Sequence, residues 1–313
     1  MATLIAEETI IKPLQESNLN KKSLCDYVIN VASGCLHGCT FCYVPSTPVI
    51  RTRQQHFADK GVSDPQMDWG KYLMLREELP ERLEAQLQKK RSWKSTPAGR
   101  GVTLLCSGTD PYQNQRTARL TREAIKILKK YDRPIRILTR SPLWLQDLDL
   151  LVDRNITVGM SLPHMDDALS RVIEPYAPLP SDRLKALRKG SKAGCRTFVA
   201  VAPTPPTMHK SDFVKHLERI LPLNPEVIFW EPINARGSNG KRMMRANIPF
   251  ASSIVQNQGW MENFLRQWED INEAAKSLGC EQKIHIWPDP GLEKFVDITE
   301  LEAWWYRPTV EIW

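Results

Sequence analysis

Short apolar runs alternate with amphipathic stretches along most of the chain. The runs Tyr27–Val31, Val102–Cys106, Ile135–Leu138, Ile156–Met160, Thr197–Val201, Val227–Trp230 and Ile284–Trp287 are rich in β-branched residues and lack polar alternation. That pattern predicts strands covered on both faces, as in a parallel sheet. Between them, Leu120, Ala124, Ile127, Leu128 and Tyr131 fall on one helical face. Ser141 followed by Pro142 reads as an N-cap with proline at the first helical position, opening a helix through Trp144, Leu145, Leu148 and Leu151. Ser181 and Ser211 are placed to cap the next two helices. The last long helix, carrying Trp260, Phe264, Trp268, Ile271 and Ala275, is expected to end on Gly279 in the left-handed conformation. Strand followed by helix, repeated about six times, predicts an α/β fold. We expect a partial TIM-type (β/α)6-like barrel with parallel strands, plus N- and C-terminal extensions; an open doubly wound sheet is the alternative.

Three stretches break the alternation. Gln54–Lys71 is polar and reads as a surface excursion. Asn234–Gln258 is a long connection holding Arg236, Gly237, Gly240, Lys241, Arg242 and Arg245, and long loops of this kind are usually lids or binding loops. The end of the chain holds Trp304, Trp305, Tyr306 and Trp313, expected to pack on the barrel end. There is no internal repeat and no Gly/Ser-rich linker, so one elaborated domain is expected: residues 1–26 as an N-terminal extension, 27–290 as the barrel, 291–313 as a Trp-rich tail.

Composition narrows the class. Hydrophobic residues are 42% and charged residues 25% of 313, which excludes a disordered or fibrous chain. No run approaches the ~18 apolar residues of a membrane helix. Glu7 and Glu8 stand where an export signal would be basic and then apolar, so a cytoplasmic location is expected, and with it a monomer without membrane contact. The formal charge of +7 leans toward polyanionic partners without identifying one. Cysteines number 7, an odd count, with Cys35, Cys39 and Cys42 crowded together. In a chain without an export signal that reads as metal binding rather than a disulfide framework.

Those three cysteines carry the sharpest signal: Cys35-Leu36-His37-Gly38-Cys39-Thr40-Phe41-Cys42, directly after the first predicted strand. Thiolates are soft ligands for zinc or for iron–sulfur iron. A structural zinc site wants four protein ligands. Here Cys25 lies upstream and Cys106, Cys195 and Cys280 stand alone. Three thiolates on a four-iron cluster leave one iron open to a ligand. A zinc knuckle completed by His37 or Cys25 is the alternative. Gly34 and Gly38 would let the chain curl around such a centre. Other polar residues follow the later strands: Ser107 to Tyr112, Thr139-Arg140-Ser141, Ser161, Pro203 to Pro206, Glu231 to Asn234, and Asp289. In a barrel these loops share one mouth.

The C-x3-C-x2-C spacing resembles the signature of the radical S-adenosylmethionine (radical SAM) superfamily. Gly34-Cys35, His37-Gly38-Cys39, Thr109-Asp110-Pro111-Tyr112-Gln113, Leu120-Thr121-Arg122, Thr139-Arg140-Ser141, Asp147 to Leu151, Arg171 to Pro175, and Pro178 with Ser181, Arg183 and Leu184 are similar, in that order, to the spore photoproduct lyase-like branch. The resemblance runs from about Val28 to Pro206. It implies a [4Fe-4S] cluster on Cys35, Cys39 and Cys42 with SAM on the open iron. It further implies reductive cleavage to a 5′-deoxyadenosyl radical that abstracts hydrogen from a substrate, and a one-electron reductant such as flavodoxin or ferredoxin. By position, Thr109, Arg140 and Ser161 look like the residues that hold the methionine end of SAM, with arginine where the family usually has lysine. Tyr43 stands where an aromatic meets the adenine, and Asp110 and Glu174 brace the loops or touch the cofactor. For Glu174 a salt bridge to Arg171 or Arg183 is the competing reading.

The lyase returns hydrogen through a cysteine and two tyrosines flanking the last cluster cysteine. Here Tyr43 matches, but Phe41 has no O–H, and Ser107 holds the place of the lyase cysteine. Cys106, one residue earlier, is the remaining thiol, readable either as a hydrogen donor or as a buried strand cysteine. Tyr43 and Cys106 are thus the candidate catalytic side chains, and the chain is not expected to be a thymine-dimer lyase.

The substrate is less legible. Arg183, Lys185, Arg188, Lys189, Lys192 and Arg196 crowd together, and Lys89 to Arg100 is basic around Trp93. Such tracts can form a nucleic-acid path or a solvated helix face. Tyr112, Glu231, Asn234 and Arg236 are the candidate substrate contacts. Asn239, Arg242 and Arg245 add donors suited to a phosphate, carboxylate or nucleotide. Three functions stay open: a radical SAM enzyme on nucleic acid or nucleotide, one on a small metabolite or peptide, and a non-catalytic iron–sulfur or zinc protein that binds nucleic acid.

Overall fold

The computed structural model describes residues 3–19, 24–96, 99–286, 291–297 and 299–300. Each predicted strand is present, as Tyr27–Ile29, Thr103–Leu105, Ile135–Thr139, Ile156–Ser161, Arg196–Thr204, Ile228–Pro232 and Ile284–Ile286. Each pairs in parallel with the next in chain order, and Gln15–Glu16 adds an antiparallel edge beside Tyr27–Ile29. A doubly wound sheet would reverse its strand order at a switch point. This sheet never reverses, so the crossovers carry their helices to one side and the sheet curls as a partial barrel whose two edge strands do not meet. Trp287 and Asp289, at the end of the last predicted strand, lie outside the described residues, as does the tryptophan-rich tail from 301 onward.

Helix ends follow local chemistry, with shifts. The helix Gln115–Lys130 is capped by Asn114, whose side chain accepts from the Thr117 N–H while the Thr117 hydroxyl accepts from Asn114 N–H. It buries Leu120, Ala124 and Leu128. Ser141 caps as expected, accepting from the Leu143 N–H at 3.2 Å, but it opens a 3-10 turn, Pro142–Asp147, and then a single α turn, Leu148–Leu151. The helices Pro180–Lys192 and Lys210–Ile220 begin one residue before the serines expected to cap them; Leu179 and His209 hold the N-cap positions. At Gly279, φ is +61°, and the Cys280 N–H reaches back to the Ala275 carbonyl at 3.0 Å.

Inside the sheet, Gly159 pairs with Phe198. The Phe198 ring meets Phe229 edge-on at 5.5 Å, and the Arg136 guanidinium lies 5.4 Å over the first ring and 5.6 Å over the second. A Cβ on Gly159 would stand 2.1 Å from the Phe198 ring. Gly159→Ala should therefore lower the urea midpoint at unchanged slope, by about 1–3 kcal/mol of overpacking strain. A midpoint equal to wild type would refute it.

Two expectations are corrected. Gln54–Lys71 is not a mere surface excursion. It contains the helix Gln54–Asp59, and Phe57 and Trp69 are buried edge-on against Tyr72, at 5.3 and 5.9 Å. Tyr72 begins a buried strand, Tyr72–Leu75, whose four-residue apolar run was too short to stand out from its polar flanks. That strand is the centre of a second sheet, parallel to Leu4–Glu7 and antiparallel to Ala32–Gly34. Nor is Asn234–Gln258 an open loop. It folds into the helices Asn239–Arg245 and Ala251–Val255, and buries Met243, Ile248, Phe250 and Ile254 in one cluster with Cys39 and Phe41.

Candidate active site

The strand Ala32–Gly34 leads directly into the cysteine loop. Gly34 has φ +92°, and a Cβ there would come 2.5 Å from the Tyr72 carbonyl oxygen. Gly38 has φ +62° and lies against Gly70, where an added Cβ would come 2.7 Å from the Gly38 Cα. Only glycine allows both the left-handed turn and this close approach.

Hydrogen bonds from four directions fix the loop. From the N-terminal segment, buried Glu8 accepts from the Ser33 hydroxyl at 2.6 Å and from Arg76 at 2.8 Å, while Arg76 also donates to Ser33 Oγ at 2.9 Å. From the loop after the second barrel strand, the Leu36 N–H donates to Gln113 at 2.6 Å; Gln113 donates to the Thr109 hydroxyl at 2.8 Å, and that hydroxyl donates to the Gly34 carbonyl. The Ile173 carbonyl accepts from the Thr40 N–H at 2.9 Å. From the helix Asn239–Arg245, Asn239 donates to the Phe41 carbonyl at 2.9 Å and Arg242 to the Cys42 carbonyl.

Cys35, Cys39 and Cys42 are free thiols on the wall of one cavity of about 250 Å³. Burial, with Asp110 adding to it, pushes the Cys35 thiol up to about 12. Burial also raises Cys39, well above the usual thiol range, and Cys42. Such thiols give up their protons to a metal rather than to water. Among the described residues no three His, Cys, Asp or Glu side chains converge tightly enough for a single metal ion. An all-sulfur donor set suits zinc or an iron–sulfur cluster.

Behind the cysteines stand two buried carboxylates. Asp110 accepts from the Tyr112 N–H at 2.8 Å, the Thr139 hydroxyl at 2.7 Å and the Arg140 N–H at 2.7 Å, with His37 Nε2 at 3.2 Å. Burial works to raise its carboxyl, but His37 and these donors outweigh burial and hold it below the usual range. One carboxylate thus locks three loops together: that of the cysteines, and those after the second and third barrel strands. Glu174, fully buried, meets Arg140 Nε and Arg183, each at 2.6 Å, and accepts from the Ser170 hydroxyl at 3.1 Å. Burial opposes its charge, and the two guanidiniums more than offset burial, so its carboxyl lies far below the ordinary range. The expected ion pair with Arg183 is present; Arg171 is not in it. Arg183 also donates to the Ser161 carbonyl at 3.2 Å, while the Ser161 hydroxyl donates to the Ala202 carbonyl at 3.1 Å.

A model of the radical SAM superfamily matches residues 29–220. The chain belongs to the radical SAM superfamily. Members use a [4Fe-4S] cluster and SAM and draw on an external one-electron reductant, so this is a radical SAM enzyme with those cofactors. It is 31% identical over 247 residues to an uncharacterized protein of Acidianus two-tailed virus, covering 74% of this chain and 76% of that one. An uncharacterized protein of Methanocaldococcus jannaschii is 24% identical over 269 residues, covering 85% and 92%. Among solved structures, spore photoproduct lyase complexed with dinucleoside spore photoproduct superposes with a TM-score of 0.62 at 14% identity, over 90% of this chain and 80% of that one. That likeness establishes the partial-barrel fold. Among the described residues no helix is long and apolar enough to cross a membrane.

This cavity gathers most of the expected site residues: Tyr43, Cys106, Thr109, Asp110, Arg140, Ser161, Glu231 and Asn234 line it together with the three cysteines. Arg236 holds its guanidinium 5.4 Å over the ring of Tyr43, which lines the cavity. Tyr112, Glu174 and Arg236 are not among the lining residues. Tyr112 is fully buried in the core, and its O–H donates to Asp147 at 2.9 Å. It braces the fold through Asp147 from outside the cavity lining. Tyr112→Phe should cost about 1–3 kcal/mol of stability for the unmade bond to buried Asp147, with iron uptake unchanged. Iron loss at full stability would contradict this.

Among the described residues, none of the basic-tract side chains lines the cavity. In the helix Pro180–Lys192, Arg183 is buried on Glu174, and Lys185, Arg188, Lys189 and Lys192 are exposed along the outside of the barrel. Arg196 pairs with Glu226 at 2.5 Å. Trp93 is packed edge-on to Tyr27 at 5.2 Å, with Lys90 and Arg133 over its ring, near the start of the first barrel strand. Sequence reasoning did not assign functional roles to Asn30 and Gln113, and it read Asn239 as a ligand donor, whereas its amide is spent on the Phe41 and Asn234 carbonyls. Asn30 accepts from the Ser107 and Gly108 N–H groups at 2.9 and 2.6 Å. Gln113 stood inside the Thr109–Gln113 motif and Asn239 among the donors of the basic connection; Asn30 carried no signal beyond its position after a strand.

Proposed function

We propose that Cys35, Cys39 and Cys42 hold the four-iron cluster and that SAM lies in the adjoining cavity. Its methionine end would meet Thr109, Arg140 and Ser161, and its adenine Tyr43. The observation that carries this reading is the single cavity onto which the three thiols and these side chains all open. When bound, cluster and SAM supply a 5′-deoxyadenosyl radical that takes a hydrogen atom from the substrate. Arg140 is held from behind through Nε by Glu174, so a carboxylate would be taken by its terminal nitrogens. Cys106 and Tyr43 share the cavity wall; burial pushes the Cys106 thiol up to about 12, which keeps its hydrogen in place at neutral pH. That suits a hydrogen-returning group. Glu231, Asn234 and Arg236 would meet the substrate.

A nucleic acid or nucleotide substrate is supported by the net charge of +7 and by the fold shared with an enzyme whose complex carries a dinucleoside. Phe41 in place of a tyrosine and Ser107 in place of the lyase cysteine weigh against thymine-dimer repair. A small metabolite is the second reading, favoured by the basic tracts lying away from the mouth. Anaerobic reconstitution with iron and sulfide, followed by dithionite and SAM, should yield 5′-deoxyadenosine; its absence would refute the catalytic reading. Salt-sensitive binding of RNA or DNA would select the first substrate class, and no binding at low salt the second.

A further inference from the structure

Arg242 sits on the short helix Asn239–Arg245, beyond the region matched by the superfamily model, and its side chain turns inward to the cysteine loop. It is only 7% exposed. Its terminal nitrogens donate to the Gln66 carbonyl at 2.9 Å, the Ser238 hydroxyl at 2.8 Å and the Cys42 carbonyl, all neutral acceptors. Its Nε is buried with no partner, and among the described residues no carboxylate lies within ion-pair distance of it. Arginine stays charged in proteins, and a buried charge is costly unless an opposite charge faces it. Burial works against this charge; the groups that favour it are Cys42, Tyr72, Cys39 and, last, the carboxylate Asp64. The other buried charges nearby are already matched: Glu174 by Arg140 and Arg183.

We propose that Arg242 is the counter-charge of the iron–sulfur cluster, holding its reduction potential up. The inference rests on the cluster assignment made above. An oxidised four-iron cluster on three thiolates carries one net negative charge, and the reduced form carries one more. A fixed cation buried beside the loop favours the more negative form, and burial keeps salt from screening it. In the same step the helix Asn239–Arg245 gains a role: Ser238 bonded to Ser46 at 2.8 Å and Asn239 bonded to the Phe41 carbonyl keep Arg242 in register with Cys42. Arg242 is a positioning and tuning residue, not one that touches substrate.

The test is an EPR-monitored redox titration of the reconstituted full chain, as wild type, Arg242→Gln and Arg242→Lys, with iron content measured on each. Arg242→Gln should lower the reduction equilibrium constant about tenfold, which is 59 mV for a one-electron couple. Arg242→Lys should keep most of the wild-type potential, and the difference should not shrink in high salt. If Arg242→Gln takes up no iron while Arg242→Lys does, the requirement for charge is upheld. An unchanged potential in Arg242→Gln overturns the proposal, as does an equal shift, or equal loss of iron, in both variants, which would leave a hydrogen-bonding clamp. A wild-type protein that forms no cluster removes the underlying assignment instead, so the two failures are distinguishable.

Discussion

A Cys39→Ala variant is expected to leave anaerobic reconstitution colourless and to form no 5′-deoxyadenosine. Three thiolates are what the loop offers, and two cannot hold a four-iron cluster against solvent and chelators. The loss should be confined to the metal. Cys39 is buried among Phe41, Ile173, Met243 and Phe250, and trading a thiol for a methyl there opens a small cavity worth about 1 kcal/mol. Glu174 loses a weak contact, the Cys39 sulfur at 3.8 Å, and keeps both arginines. Cys25→Ala is the paired control. Cys25 packs with Leu24, Val28, Val102 and Leu104, and does not line the cavity of the other three. That variant should keep its chromophore. A brown Cys39→Ala protein, or a colourless Cys25→Ala protein, would mean the wrong cysteines have been assigned.

Glu174→Gln should be the most destabilising single change near the site. The glutamine fits the space but leaves the guanidiniums of Arg140 and Arg183 sharing a neutral partner, and Arg183 is fully buried. Breaking a buried ion pair on one side costs about 3–5 kcal/mol. The pH dependence gives an independent check. The carboxyls of Glu174 and Asp110 are depressed in the folded chain. A depressed carboxyl contributes stability that is fully present above its unfolded value, about 4, and that is lost as pH falls toward the folded value. Wild-type urea midpoints should therefore fall steeply below about pH 4, and those of Glu174→Gln less steeply. A loss under about 1 kcal/mol at neutral pH, or identical acid slopes, would show that the pair is worth no more than a surface bridge.

The barrel was legible because its strands are uniformly apolar and evenly spaced by helices, so period and length agreed. The three cysteines, and the loops after the strands, could be placed for the same reason. What escaped was set by contacts between distant segments. The strand Tyr72–Leu75 is short, and only its neighbours Leu4–Glu7 and Ala32–Gly34 give it a sheet. Met243, Ile248 and Phe250 lie among basic and polar residues, and the charges drew attention from the apolar positions between them. Tyr112 and Arg242 were both misdirected by proximity in sequence. The direction of a side chain depends on local hydrogen bonds, and here Tyr112 turns into the core onto Asp147 while Arg242 turns inward onto the Cys42 carbonyl.

The bond between Arg242 and the Cys42 carbonyl spans 200 residues of chain. A ribosome adding about 5–20 residues per second needs roughly 10–40 seconds to cover that distance. Throughout that interval the three thiols exist without the helix that closes over them. Any iron or oxidant that meets the nascent chain meets them uncovered, so the age of the polypeptide, as well as its fold, decides when a cluster can safely be delivered.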